Sequence, residues 1–145
     1  MPSGLRFGVI GPGRVGQALG RRWVRAGHDC LGVGGREREQ GGAASRACGW
    51  DLPGLERFEQ LSVATFVLVA VDDESIAAVV ERAADRGGVR SCSLWLHCSG
   101  SHGLEPLAPV VAHGARVGVL HPLSPFPDAE QGFVGMVDRP AVLTG

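Results

Sequence analysis

Short apolar runs, separated by glycine-rich turns or amphipathic stretches, set the plan of this chain. Leu5-Arg6-Phe7-Gly8-Val9-Ile10 is rich in strand formers and passes through a glycine turn into a helical pattern. There Val15, Ala18, Leu19 and Trp23 recur at three- and four-residue spacing, while Arg14, Arg21, Arg22 and Arg25 take the other face. Ala26-Gly27-His28 closes that helix with glycine in the C-cap position. Asp29 to Val33 reads as a second strand. Glu37 to Cys48 reads as a weak helix interrupted by Gly41-Gly42. Gly49 to Phe58 is irregular, with a turn at Pro53-Gly54, so any third strand there is short. A short helix is expected over Arg57 to Leu61.

Thr65 to Val71 (TFVLVAV) is apolar on both faces, as a central parallel strand requires. Asp72-Asp73-Glu74 follows, and Asp72 or Asp73 is expected to cap a helix running to about Arg86. After Gly87-Gly88, Ser93 to His97 is a further strand. A helix is predicted from about Leu104 to His113, with Pro106 in its first turn and Pro109 as a weak point. Ala115 to Leu120 is the next strand, ending in His121-Pro122. Leu123 to Met136 is a proline- and glycine-rich crossing segment, and Pro140 to Leu143 a last strand. Strand alternating with helix predicts an α/β fold: a doubly wound, mainly parallel sheet with helices on both faces.

Composition narrows the chemistry. At 145 residues the chain fits one domain, able to bury about 70% of the surface of its unfolded form. A net charge of −1 gives no argument for a nucleic-acid or membrane partner, and no apolar run is long enough to span a bilayer. The chain has no Lys, Tyr or Asn, so a lysine or tyrosine proton donor is excluded within these residues. Cys30, Cys48, Cys92 and Cys98 lack C-x-x-C spacing and read as reduced thiols. No signal peptide precedes the first strand, and the expected location is cytoplasmic.

The turn after the first strand is Gly11-Pro12-Gly13-Arg14-Val15-Gly16, a G-x-G-x-x-G in strand–turn–helix context. Gly11 serves the tight turn, Gly13 the close approach of a pyrophosphate, and Gly16 the packing of helix on sheet. Unpaired N–H groups and the helix dipole then favour the phosphates of a dinucleotide. The position that usually carries a ribose-binding carboxylate falls near Gly34, where there is no acid. Gly35, Arg36, Glu37 and Arg38 follow. Arginine in place of a carboxylate suits a 2′-phosphate, so NADP is preferred to NAD; Glu37 could take the carboxylate's role, and Arg36 and Arg38 could simply begin a solvated helix.

Ligands of such sheets sit beyond the carboxyl ends of the strands. Those ends carry Gly11 to Gly16, Gly35-Arg36, Val71-Asp72, His97-Cys98-Ser99-Gly100 and His121-Pro122. A nicotinamide lying across that edge falls near His97, Ser99 and His121. A histidine there could exchange the proton that accompanies hydride transfer, Ser99-Gly100 could hold a substrate carboxylate, or the histidines could only fix turn geometry. No metal is expected, because His97 and His121 lack a third ligand at suitable spacing. At Asp72-Asp73 a cap is the better reading than acid–base chemistry.

The combined segments GVIGPGRVGQALG, VLVAVDDESI, HCSGSHGLEPL and GVLHPLSPFP resemble the Rossmann-like domain of a group of two-domain bacterial proteins. That group is similar to pyrroline-5-carboxylate reductase, deazaflavin-dependent NADP oxidoreductases and the 6-phosphogluconate dehydrogenase superfamily. The resemblance covers nearly the whole chain. It implies that Gly11, Pro12, Gly13, Arg14, Val15 and Gly16 hold the pyrophosphate and Arg36 the 2′-phosphate. Val71 and Asp72 would lie along the cofactor, with His97, Ser99 and His121 near the nicotinamide. His121-Pro122 also looks like the H-P-M motif of prephenate dehydrogenase, whose histidine assists oxidation of a substrate hydroxyl. The resemblance further implies a small carbonyl, imine or secondary-alcohol substrate, and a helical domain that dimerises and closes the pocket. With that domain absent, 1–145 is expected to be the cofactor domain of a longer homodimeric oxidoreductase, inactive alone. The other reading is a stand-alone, non-catalytic NADP-binding sensor or interaction module.

Overall fold

A computed structural model of the chain describes residues 4–11, 14–34, 54–55, 57–99, 102–122 and 141–144. Of these, Arg14, His121, Pro122 and 141–144 are described by backbone alone. Strands β1 (Arg6–Ile10), β2 (Asp29–Gly34), β3 (Phe66–Val69), β4 (Leu94–His97), β5 (Arg116–Pro122) and β6 (Ala141–Thr144) form one sheet in the order β2-β1-β3-β4-β5-β6. The first five are parallel, and β6 lies antiparallel on β5. The α/β doubly wound, mainly parallel arrangement expected from the sequence is thus present. The expected helix over Glu37 to Cys48 and the crossing segment Leu123 to Met136 lie outside the described residues.

Among the described residues, the region expected to hold a short third strand contributes one parallel bridge, Val33 with Gly54, on the outer edge of β2. Leu55 N–H donates to the Val33 carbonyl at 3.0 Å.

Alternation along the strands separates two apolar layers. Phe7 and Val9 of β1, Phe66 and Leu68 of β3 and Leu96 of β4 pack with Leu19, Val15 and Trp23 of helix α1 (Arg14–Arg25). On the opposite face Ile10, Val67, Val69 and Trp95 pack with Ile76, Val79, Val80, Ala83 and Ala84 of helix α2 (Ile76–Asp85). Each Val in α2 is at most about 0.7 kcal/mol poorer than Ala as a helix former. Burial of each contributes about 1.5–3 kcal/mol, so packing decides the element.

Several boundaries differ from expectation. The helix expected over Arg57 to Leu61 is a 3-10 segment, Phe58–Val63, whose Leu61 lies against Gly8 of β1. The helix expected from Leu104 to His113 divides into a 3-10 turn, Glu105–Leu107, and a short α3, Ala108–Val111, each with a proline as its second residue. Pro109 cannot donate to the preceding turn, so the helix restarts there. β5 runs through His121 and Pro122 because β6 pairs with both, His121 opposite Val142 and Pro122 opposite Ala141.

Candidate functional site at the carboxyl edge

From β1 the chain moves outward to β2 and then crosses back past β1 to β3 on its other side, so the switch point lies at the ends of β1 and β3. The chain turns out of β1 at Gly11, whose φ of +120° is open to glycine and strained for other residues. A Cβ at Gly11 would run into the Ala70 carbonyl just after β3, with its carbon only 2.7 Å away. The Gly11 N–H is not bare: it donates to the Gly34 carbonyl at the end of β2. The turn is thereby tied to both neighbouring strands.

Helix α1 begins at once, at Arg14, and runs for 12 residues. Gly16 brings it flush with β1; a Cβ there would stand 2.5 Å from the Gly11 carbonyl and 2.9 Å from Val9 Cγ1. Its first turn contains no acidic residue, so no carboxylate of the turn itself opposes an anion at the helix N-terminus. Val15 is half-buried against the α1-side layer. Pro12 and Gly13 lie outside the described residues, as do Arg36 and Arg38.

Beyond β3, Val71 is half-buried against the α2-side layer and Asp72 is exposed. The capping expectation is corrected in its chemistry. Asp72 precedes a 3-10 turn, Asp73–Ser75, and its carboxylate takes no backbone N–H. It accepts instead from the Ser75 hydroxyl, at 2.9 and 3.0 Å, while its main-chain carbonyl accepts the Ser75 N–H. The short 3-10 turn brings the Ser75 hydroxyl to where a helical N–H would otherwise be.

His97 ends β4 and is fully buried. The Ser99 N–H donates to its Nδ1 at 3.0 Å, and Nε2 stands 2.6 Å from the Gly103 carbonyl. Because Nδ1 accepts, the ring proton is on Nε2 and is donated to Gly103. Both nitrogens are therefore engaged by the turn that leaves β4. Ser99 is buried beside it, and Gly100 lies outside the described residues. Between them, burial pushes the Cys98 thiol up to about 12, which keeps it protonated and non-nucleophilic at neutral pH. Cys30 on β2 is raised in the same way, to about 11.

β4 and β5 pair with His97 opposite Val119, which places His121 two positions farther toward the carboxyl edge. The structure thus collects Gly11, Val15, Gly16, Val71, Asp72, His97, Ser99 and His121 along one edge of the sheet. It adds two residues that sequence reasoning passed over. Gly103 is held by His97, and Leu55 packs onto the end of β2. No local pattern marks Leu55, since its contacts lie far away in the chain. Among the described residues no group of three or more His, Cys, Asp or Glu could hold a metal ion, and no helix is long and apolar enough to cross a membrane.

With this geometry in hand, comparison with known proteins is informative. Residues 1–122 match the family described as Rossmann-like domain. No curated protein matches the chain. Among solved structures, a candidate NADP oxidoreductase of Bacteroides fragilis aligns with a TM-score of 0.73 at 20% identity, over 97% of this chain and 51% of that one. A Streptomyces aurantiacus imine reductase aligns with a TM-score of 0.68 at 20% identity, over 95% and 46%. An Aspergillus terreus reductive aminase, in complex with NADPH and ethyl levulinate, gives 0.62 at 16% identity, over 84% and 42%. At such identities the likeness is one of fold. The chain spans about half the length of these structures.

Proposed function

The chain belongs to the Rossmann-like domain family, and from that premise we propose that it is the NADP-binding domain of an oxidoreductase. Its substrate class is a small molecule with a carbonyl, imine or secondary alcohol. One observation carries the reading: at the switch point, Gly11 is locked at positive φ between β2 and β3, directly before a helix whose first turn has no acidic side chain. That is an anion site shaped for close backbone approach. The fold's likeness to the NADPH-bound aminase and to the imine reductase supports the nicotinamide cofactor and the substrate class.

The residues present fit that group. The first turn of α1, with Gly16 and Val15, would hold the diphosphate together with Gly11, Pro12, Gly13 and Arg14. Arg36 and Arg38 would hold the 2′-phosphate, and Val71 and Asp72 would border the bound molecule. When bound, the nicotinamide supplies or accepts the hydride. His121, farthest along the edge, is assigned the accompanying proton. His97 holds the turn that carries Ser99, which is assigned to orienting the substrate. A complete catalytic pocket requires the rest of a longer protein, as the half-length match suggests.

The test is calorimetry and thermal unfolding of this chain with each nucleotide. NADPH should raise the melting temperature more than NADH at equal concentration, by mass action. Equal shifts would remove the arginine assignment, and no binding of either would defeat the reading.

A further inference from the structure

Gly34 stands at the last position of β2, where dinucleotide-binding domains commonly place the carboxylate that accepts the ribose 2′-hydroxyl. Its backbone is part of the site, because its carbonyl holds the Gly11 N–H. Gly32 and Gly34, two residues apart, face the same side of the strand, and Leu55 lies across both. A Cβ at Gly32 would stand 2.8 Å from Leu55 Cα and 2.9 Å from its N. One at Gly34 would stand 2.7 Å from Leu55 Cβ and 2.9 Å from the Leu55 carbonyl oxygen. Leu55 is itself buried in the α2-side layer and anchored by its N–H to Val33, so it has little room to withdraw.

Resting on the cofactor reading above, we infer that Leu55 is a specificity-determining residue: packed onto Gly34, it keeps the end of β2 free of any side chain and so bars the carboxylate that would select NAD. The absence of an acid at position 34 is then a packing constraint. A carboxylate there would pair with a free 2′-hydroxyl and repel a 2′-phosphate. With the position held bare, no carboxylate at the end of β2 opposes a doubly charged phosphate.

The experiment compares the natural chain with Gly34→Asp, Leu55→Gly and the double variant, reading melting temperature and the dissociation constants of NADPH and NADH. Gly34→Asp should lower the melting temperature far more in the Leu55 background than in the Leu55→Gly background. In the double variant the NADPH-to-NADH affinity ratio should move toward NADH by about tenfold, relative to Leu55→Gly alone. Equal destabilisation in both backgrounds, or an unmoved ratio in a folded double variant, overturns the inference while NADPH binding by the natural chain stands. If Leu55→Gly does not fold, Gly34→Ala decides the packing claim: an unchanged melting temperature overturns it, and a lowered one supports it. A natural chain that binds neither nucleotide overturns the cofactor reading, and this inference with it.

Discussion

The two ends of the sheet are built from opposite materials. At the amino end, where β1 and β3 begin, side chains fill the space. Phe7 and Phe66 stack at 5.3 Å between centroids, Trp23 meets both edge-on at 5.3 and 4.9 Å, and His28 stands edge-on to Phe66 at 6.0 Å. His28 also accepts the Leu5 N–H on Nδ1, closing that end over the start of β1. At the carboxyl end glycines bring main chain against main chain: Gly11 against Ala70, Gly16 against Gly11, Gly34 against Leu55. One end buries apolar surface in an aromatic cluster, and the other packs main chain against main chain. Under the proposed function, stability and binding fall to opposite edges of the same strands.

That division can be broken from either side. The largest effect on stability is expected at the amino end, where Phe7→Ala should cost about 3–5 kcal/mol in chemical denaturation. NADPH affinity per folded molecule should be unchanged, because Phe7 is fully buried in the aromatic cluster and distant from the edge. A parallel loss of affinity would show the two ends to be coupled. Gly11→Ala should cost less, about 1–3 kcal/mol from the forced positive φ, yet abolish measurable NADPH binding by displacing the turn from β3. Retained affinity in that variant would remove the turn from the site. His121→Ala should have the smallest effect on stability, within about 0.5 kcal/mol. In an active enzyme of the proposed kind it should lower turnover with little change in NADPH affinity; unchanged turnover would leave His121 without the proton role.

How much of this was legible beforehand varies with the range of the interactions. The parallel core was readable because TFVLVAV is apolar at every position that must face one helical layer or the other. The roles of Gly11 and Gly16 were readable because each answers a local demand of a strand–turn–helix junction, although the amide of Gly11 proved to be engaged by Gly34. The division of the Leu104 to His113 pattern was half legible, since Pro109 marked the weak point without fixing where the helix would restart. For His97 the sequence left proton exchange and the fixing of turn geometry both open; the fold buries the ring and engages its two nitrogens with the Ser99 N–H and the Gly103 carbonyl.

The sequence by itself determined the alternation of strands and helices, the position of the glycine turn and the lack of an acid after β2, because propensity, periodicity and backbone freedom act over a few neighbouring residues. Only the tertiary structure decided that His97 is buried with both ring nitrogens engaged, that Gly54 bridges to Val33, and that Leu55 lies against Gly34. Those outcomes depend on which segments are pressed together across the sheet, and a side chain's neighbours in space are not written in its neighbours along the chain.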